Sequence, residues 1–171
     1  MAYTLLQQDA LEEKVVGYAL SLIGAPFRPH TKLHTSRLKQ SKLGLVGESY
    51  VEHGHLAVGQ ENGFDCSGFV QHVFAESIGV DLPRHTIEMF CSVESGYIGE
   101  SALSEVRLDE IRKADLLFLR RYNPMIPSHV AIYSGNGEVV HSSRRTNGVA
   151  ATKLEEMLPR LLAVKRVVYA R

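Results

Sequence analysis

The tripeptide Gly135-Asn136-Gly137 sits between two short runs of β-forming residues, 129–133 and 138–142. Asn and Gly accept the positive φ angles of tight hairpin turns, so the two runs are expected to return on each other as antiparallel strands. Two more β-rich runs, 116–119 and 163–169, place an antiparallel sheet in the last third of the chain. Residues 152–161 read as a helix or turn leading into the final strand. The loop length then decides which side chains share a face. A three-residue loop pairs Tyr133 with Val139 and Ile132 with Val140, sets Ala131 against His141, and leaves His129 and His141 as diagonal neighbours on one face. A two-residue loop would put them on opposite faces.

Upstream the pattern is helical. Leu11, Val15, Ala19, Leu22 and Ile23 recur at helical spacing over about 8–23, and Gly24-Ala25-Pro26 supplies a stop. A second helix is expected from Cys66 to near Gly79, with Asp65 and Ser67 at its start and Phe69, Val70, Val73 and Phe74 as its apolar stripe. After the turn at Leu82-Pro83-Arg84 comes a short helix at about 87–91. Helices first and an antiparallel sheet afterwards is an α+β plan with the layers face to face. A chain of 171 residues fits one domain, 1–171. Its irregular stretch at about 28–62 is polar and rich in His, Gly and Ser, as functional lids, binding loops or poorly ordered segments are.

Charge and cysteine content exclude several classes. Lys plus Arg and Asp plus Glu both number 19, so no overall field draws the chain to nucleic acid or membrane. Locally, residues 28–42 hold five basic residues and no acid, read as a solvated loop or a patch for an acidic substrate. Two cysteines without a CxxC pair give no disulfide framework, zinc ribbon or redox motif. The uncharged stretch 15–27 is shorter than the about 20 residues a membrane span needs. Asp9, Glu12 and Glu13 precede it where a signal peptide would be basic, so a cytoplasmic form or a dedicated export route is expected. His30, His34, His53 and His55 raise a metal site, but no fixed carboxylate or Cys completes it. Neither metal nor organic cofactor is expected.

Cys66 is the candidate nucleophile. A thiol attacks as thiolate, and the free N–H groups and dipole of a helix start favour that anion and an adjacent oxyanion. Gly68 would let a substrate backbone pass close. A small buried core residue is the competing reading of a lone Cys. The hairpin adds His129 as base and His141 to fix its tautomer. Cys91 is read as a core or partly buried thiol, His72 as lying on the solvated side of its helix, and Arg84 as a loop brace or a ligand for a substrate carboxylate.

The strings Gly63-Phe64-Asp65-Cys66-Ser67-Gly68-Phe69-Val70, Ser128-His129-Val130-Ala131-Ile132-Tyr133 and Val139-Val140-His141-Ser142 resemble the NlpC-type cell-wall cysteine peptidases. So do Leu82-Pro83-Arg84-His85-Thr86 and Asp115-Leu116-Leu117-Phe118, in the same order. The resemblance implies a papain-like fold and cleavage of peptidoglycan stem peptides, usually between D-γ-glutamate and a diamino acid. It implies Cys66 as nucleophile, His129 as base, His141 as orienting residue, and Asp65 and Ser67 at the free amine of the peptide. Three departures stand out. His53, Gly54 and His55 occupy the place of a frequent Tyr, Ala114 replaces a usual Gly, and residues 28–62 exceed the usual connection. Two alternatives remain open: a Cys–His enzyme, such as a toxin or effector, acting on a non-wall amide, and a catalytically silent module that holds wall fragments.

Overall fold

The hairpin keeps the expected register but reaches it by another route. In the computed structural model, which describes residues 5–29, 63–95 and 101–169, strand β3 (Pro127–Gly135) meets β4 (Glu138–Ser143) across a two-residue turn. Asn136 and Gly137 both have positive φ, 53° and 74°, as a type I′ turn requires. A bulge between Tyr133 and Gly135 then absorbs one residue, so Tyr133 still pairs with Val139 and Ile132 with Val140. The two-residue turn alone would have separated the histidines, and the bulge restores them to one face.

That pairing stops at Ile132↔Val140. Ala131 and His129 therefore do not pair with His141 and Ser143 as the extrapolated ladder had it. On its other edge β3 stays paired with β2 (Leu116–Arg120) from Ile132 to Pro127, and there Leu119 faces His129. The β3–β4 ladder is thus open at the end where the histidines lie.

The six strands run β1-β6-β2-β3-β4-β5 across the sheet, with every pair antiparallel. The end strands β1 (Ser101–Val106) and β5 (Gly148–Lys153) were not expected from the sequence. Among the described side chains of β1 Leu103 is the buried one, and an edge strand of this kind shows little of the apolar pattern that marks a central strand. The final strand β6 (Leu161–Tyr169) lies beside β2.

Both faces of β2 are buried. Leu116 and Phe118 join the larger core, built with Val15 and Ala19 of α1 (Leu5–Ser21) and Phe69, Val70 and Val73 of α2 (Cys66–Ile78). Leu117 and Leu119 face a smaller cluster with Ala131, Val139, Val164 and Met157, the last from the short helix α4 (Leu154–Met157). The α+β plan of helices on an antiparallel sheet holds, with the opposite face covered as well. α1 ends before Ile23, which is 47 % exposed and not part of the buried stripe. α3 (Thr86–Ser95) is longer than the short helix expected there. Cys91 on α3 is exposed, not a core thiol, because the helix turns it away from β3 and β1.

Ala114, the residue in place of the usual Gly, has φ +66°. A left-handed non-Gly residue costs about 1–2 kcal/mol, which accounts for Gly being the more suitable residue there. Just after it, fully buried Asp115 accepts two 2.7 Å hydrogen bonds from Arg166 of β6 and one from the Arg112 N–H. This charge-assisted pair ties the start of β2 to its neighbour.

Candidate active site

Asp65 begins the site by capping α2: its Oδ1 accepts the Gly68 N–H at 2.7 Å. Its Oδ2 accepts from Arg84 Nη2 at 2.7 Å, and Arg84 Nη1 donates to Ser67 Oγ at 3.0 Å. Arg84 and Ser67 are buried. The guanidinium therefore braces the helix start from within and does not line the cleft, so the reach to a substrate carboxylate allowed by the sequence is not made. A Cβ on Gly68 would stand 2.7 Å from Asp65 Oδ1 and 3.1 Å from Arg84 Nη2. Glycine at 68 is thus required by this ion pair as it stands.

Cys66 sits where β3 and β4 part. The N–H groups of Val130 and Ser67 donate to its sulfur, and Thr86 Oγ1 lies 3.7 Å from Sγ. Val130 directly follows His129, so the thiol meets β3 beside that histidine, and the side chains of Cys66 and His129 line one cavity of about 440 Å³. His129 Nε2 lies 2.8 Å from His141 Nδ1, and His141 Nε2 lies 3.0 Å from Thr152 Oγ1. One ring nitrogen of each histidine pair must donate and the other accept. With Nδ1 of His129 free to take a proton, its Nε2–H donates to His141 Nδ1, and the Nε2–H of His141 donates to Thr152.

Burial sets the protonation states. It pushes His129 down to about 3, with help from neighbouring His141 and from Arg160. Burial and Arg160 likewise push His141 down to about 4. The Cys66 thiol moves up, through burial and the Asp65 charge, against the stabilising hydrogen bonds from Thr86, Val130 and Ser67. The thiolate expected from a helix start is therefore not favoured in the resting protein, because desolvation outweighs those donors. The cavity thus holds a neutral thiol and neutral imidazoles at rest.

Asp65, Cys66, His129 and His141 all line the cavity, whereas Ser67 and Arg84 lie behind it. Sequence reasoning missed Thr152 and four arginines of the wall, Arg121, Arg144, Arg145 and Arg160. A signal for Thr152 was present: Asn147-Gly148 repeats the Asn-Gly hairpin signature, Asn147 has φ 55°, and β5 follows. In β5, Thr152 pairs with Val139 and Ala150 with His141, which makes Thr152 and His141 diagonal neighbours. Ser142 Oγ donates to the Phe64 carbonyl at 2.7 Å and ties β4 to the segment that carries Cys66.

His72 corrects another expectation. Its ring packs 5.1 Å from Phe64 and its Nε2 lies 3.2 Å from Tyr18 Oη, so it bridges α1 and α2 instead of facing solvent. His30, His34, His53, His55, Tyr50 and most of the basic run lie outside the described residues. Among the described residues no group of three or more His, Cys, Asp or Glu is placed to hold a metal ion, and no helix is long and apolar enough to cross a membrane.

The sequence profile of the NlpC/P60 family matches residues 47–166, and the chain belongs to that family. It is 34 % identical over 96 residues to a probable endopeptidase NlpC homolog of Haemophilus influenzae, covering 56 % of this chain and 44 % of that protein. It is 29 % identical over 126 residues to the murein DD-endopeptidase MepH of Escherichia coli, covering 74 % of this chain and 41 % of MepH. The chain thus spans less than half the length of these curated relatives. The fold is the papain-like NlpC/P60 fold. RipD of Mycobacterium tuberculosis, a non-catalytic NlpC/P60 domain protein adapted to peptidoglycan binding, superposes with a TM-score of 0.58 at 20 % identity, over 92 % of this chain and 95 % of RipD.

Proposed function

We propose that this chain is a single catalytic domain, 1–171, that hydrolyses an amide bond of peptidoglycan stem peptides. Cys66 attacks the amide carbon while His129 Nδ1 takes the thiol proton, and the same imidazole then protonates the leaving amine. His141 holds the ring of His129 and faces its Nε2–H as positive charge builds. Backbone N–H groups at the start of α2 receive the oxyanion. The bond cleaved is the one between D-γ-glutamate and the diamino acid. The observation that carries this reading is the hydrogen-bonded His129–His141 pair sharing a cavity with Cys66 at a helix start.

The test is hydrolysis of purified stem peptides by wild type, Cys66→Ser and His129→Ala, with products assigned by mass. Release of L-alanyl-D-glutamate that disappears in both variants supports the mechanism; cleavage only at D-alanyl bonds would move the assignment to DD-endopeptidase chemistry, as in MepH's name. The raised thiol and the likeness to RipD favour a second reading, a binding module without turnover. Saturable stem-peptide binding by a wild type that cleaves nothing across the pH range would establish it.

A further inference from the structure

The wall of the cavity is basic in a chain whose formal charge is zero. Arg121, Arg144, Arg145 and Arg160 line it, against two carboxylates, Asp65 and Glu156. Asp65 is already neutralised by Arg84. Among the described residues none of the four arginines has a carboxylate partner within ion-pair distance.

Their placement follows from the topology. Arg121 begins the β2–β3 connection and Arg144 and Arg145 begin the β4–β5 connection, both at the open end of the β3–β4 ladder. Arg160 closes the turn after α4. His129 thus lies between Arg121 on one side and Arg144 and Arg145 on the other. Arg144 stands over the Phe27 ring, 5.8 Å from its centroid, which limits where its guanidinium points. Among the described residues Arg160 Nη2 donates only to Met157 Sδ and Arg121 stands over the Tyr122 ring, so neither is charge-paired there. Guanidinium groups bind carboxylates through paired hydrogen bonds, so arginines without carboxylate partners around a reactive centre select for anionic groups flanking the reacting bond.

We infer that the cleft selects a γ-glutamyl amide carrying free carboxylates on both sides of the scissile bond, and rejects the same backbone when those carboxyls are amidated. The inference rests on the hydrolase reading above and adds the ionisation state of its substrate. Two sources share this chemistry, a wall stem peptide whose diamino acid is diaminopimelate, with its second carboxyl free, and a γ-linked oligoglutamate. A bound carboxylate also offsets the Arg160 charge that both imidazoles feel.

The experiment compares kcat/KM for a stem tetrapeptide with free carboxyls and for the same peptide with its glutamyl and diamino-acid carboxyls amidated. Triglutamate in γ linkage forms a third arm. The expected result is at least a tenfold preference for the free acid, shrinking toward parity in Arg144→Gln/Arg145→Gln and in Arg160→Gln, and weakening with added salt. Faster turnover of the oligoglutamate than of the tetrapeptide would identify the γ-linked polymer as the source; the reverse identifies the wall peptide. Equal turnover of acid and amide by wild type overturns the inference. Should nothing be hydrolysed, the hydrolase reading fails on its own, and binding of the same pair to Cys66→Ala decides the inference: preferential binding of the free acid upholds it, and equal or absent binding overturns it.

Discussion

Thr152 has no acid–base chemistry of its own near neutral pH, yet it ends the chain of hydrogen bonds that, in the proposed mechanism, gives His129 its useful tautomer. If its hydroxyl is lost, the Nε2–H of His141 is left in a cleft wall without that acceptor, a loss of about 1–3 kcal/mol for a buried donor. The His129–His141 bond can then reverse, which places a proton on the nitrogen meant to accept one. Thr152→Val is expected to lower kcat about tenfold or more, with little change in KM and with recovery in Thr152→Ser. An unchanged kcat, or a loss that serine does not recover, would assign Thr152 to packing alone. The same local logic explains the buried brace of Arg84, Asp65 and Ser67, which holds the first turn of α2 and leaves Cys66 pointing to the cleft.

At the scale of elements the hairpin is the decisive part. Its turn, bulge and strand split act in sequence: the turn reverses the chain, the bulge resets the register, and the split admits the helix start. Deleting Ser134, the residue that the bulge leaves without a partner, should give a regular two-residue hairpin that keeps Tyr133 opposite Val139. Both histidines then remain on one face, and activity is expected to stay within about threefold while stability changes by about 1 kcal/mol, since Ser134 Oγ loses one hydrogen bond to the Glu138 carbonyl. Loss of activity in a folded deletion variant would show that register is set elsewhere.

For the whole molecule, the buried imidazoles couple the site to folding. An unfolded histidine titrates near 6.5, whereas His129 and His141 titrate at about 3 and about 4 in the fold. The unfolded chain therefore binds more protons between these limits, and stability falls as pH falls from about 6.5 toward 4. Glu88, pushed up to about 7 chiefly by burial, works in the opposite direction over part of that range. The comparison that isolates the histidines is Tm against pH for wild type and His129→Asn/His141→Asn. The double variant is expected to show the flatter acid limb; parallel limbs would mean that the pair does not report on folding.

The sequence by itself determined the parts whose cause is local. Periodicity, the Asp65 cap and the Gly79 stop give α2 from Cys66 to Ile78, and the Asn-Gly turn gives the hairpin, because each depends only on neighbouring residues. The two histidines were legible as strand residues of one hairpin, but the two-residue turn with period-two alternation would have set them on opposite faces, and the bulge at Ser134 that returns them to one face was not legible. Tertiary structure alone decided where the β3–β4 ladder opens, that Thr152 and four arginines stand around the histidines, and that Arg84 turns inward. It also decided the resting state of Cys66. The helix start and its N–H donors are encoded locally, but burial depends on every element that closes over the thiol, and here desolvation is the larger effect.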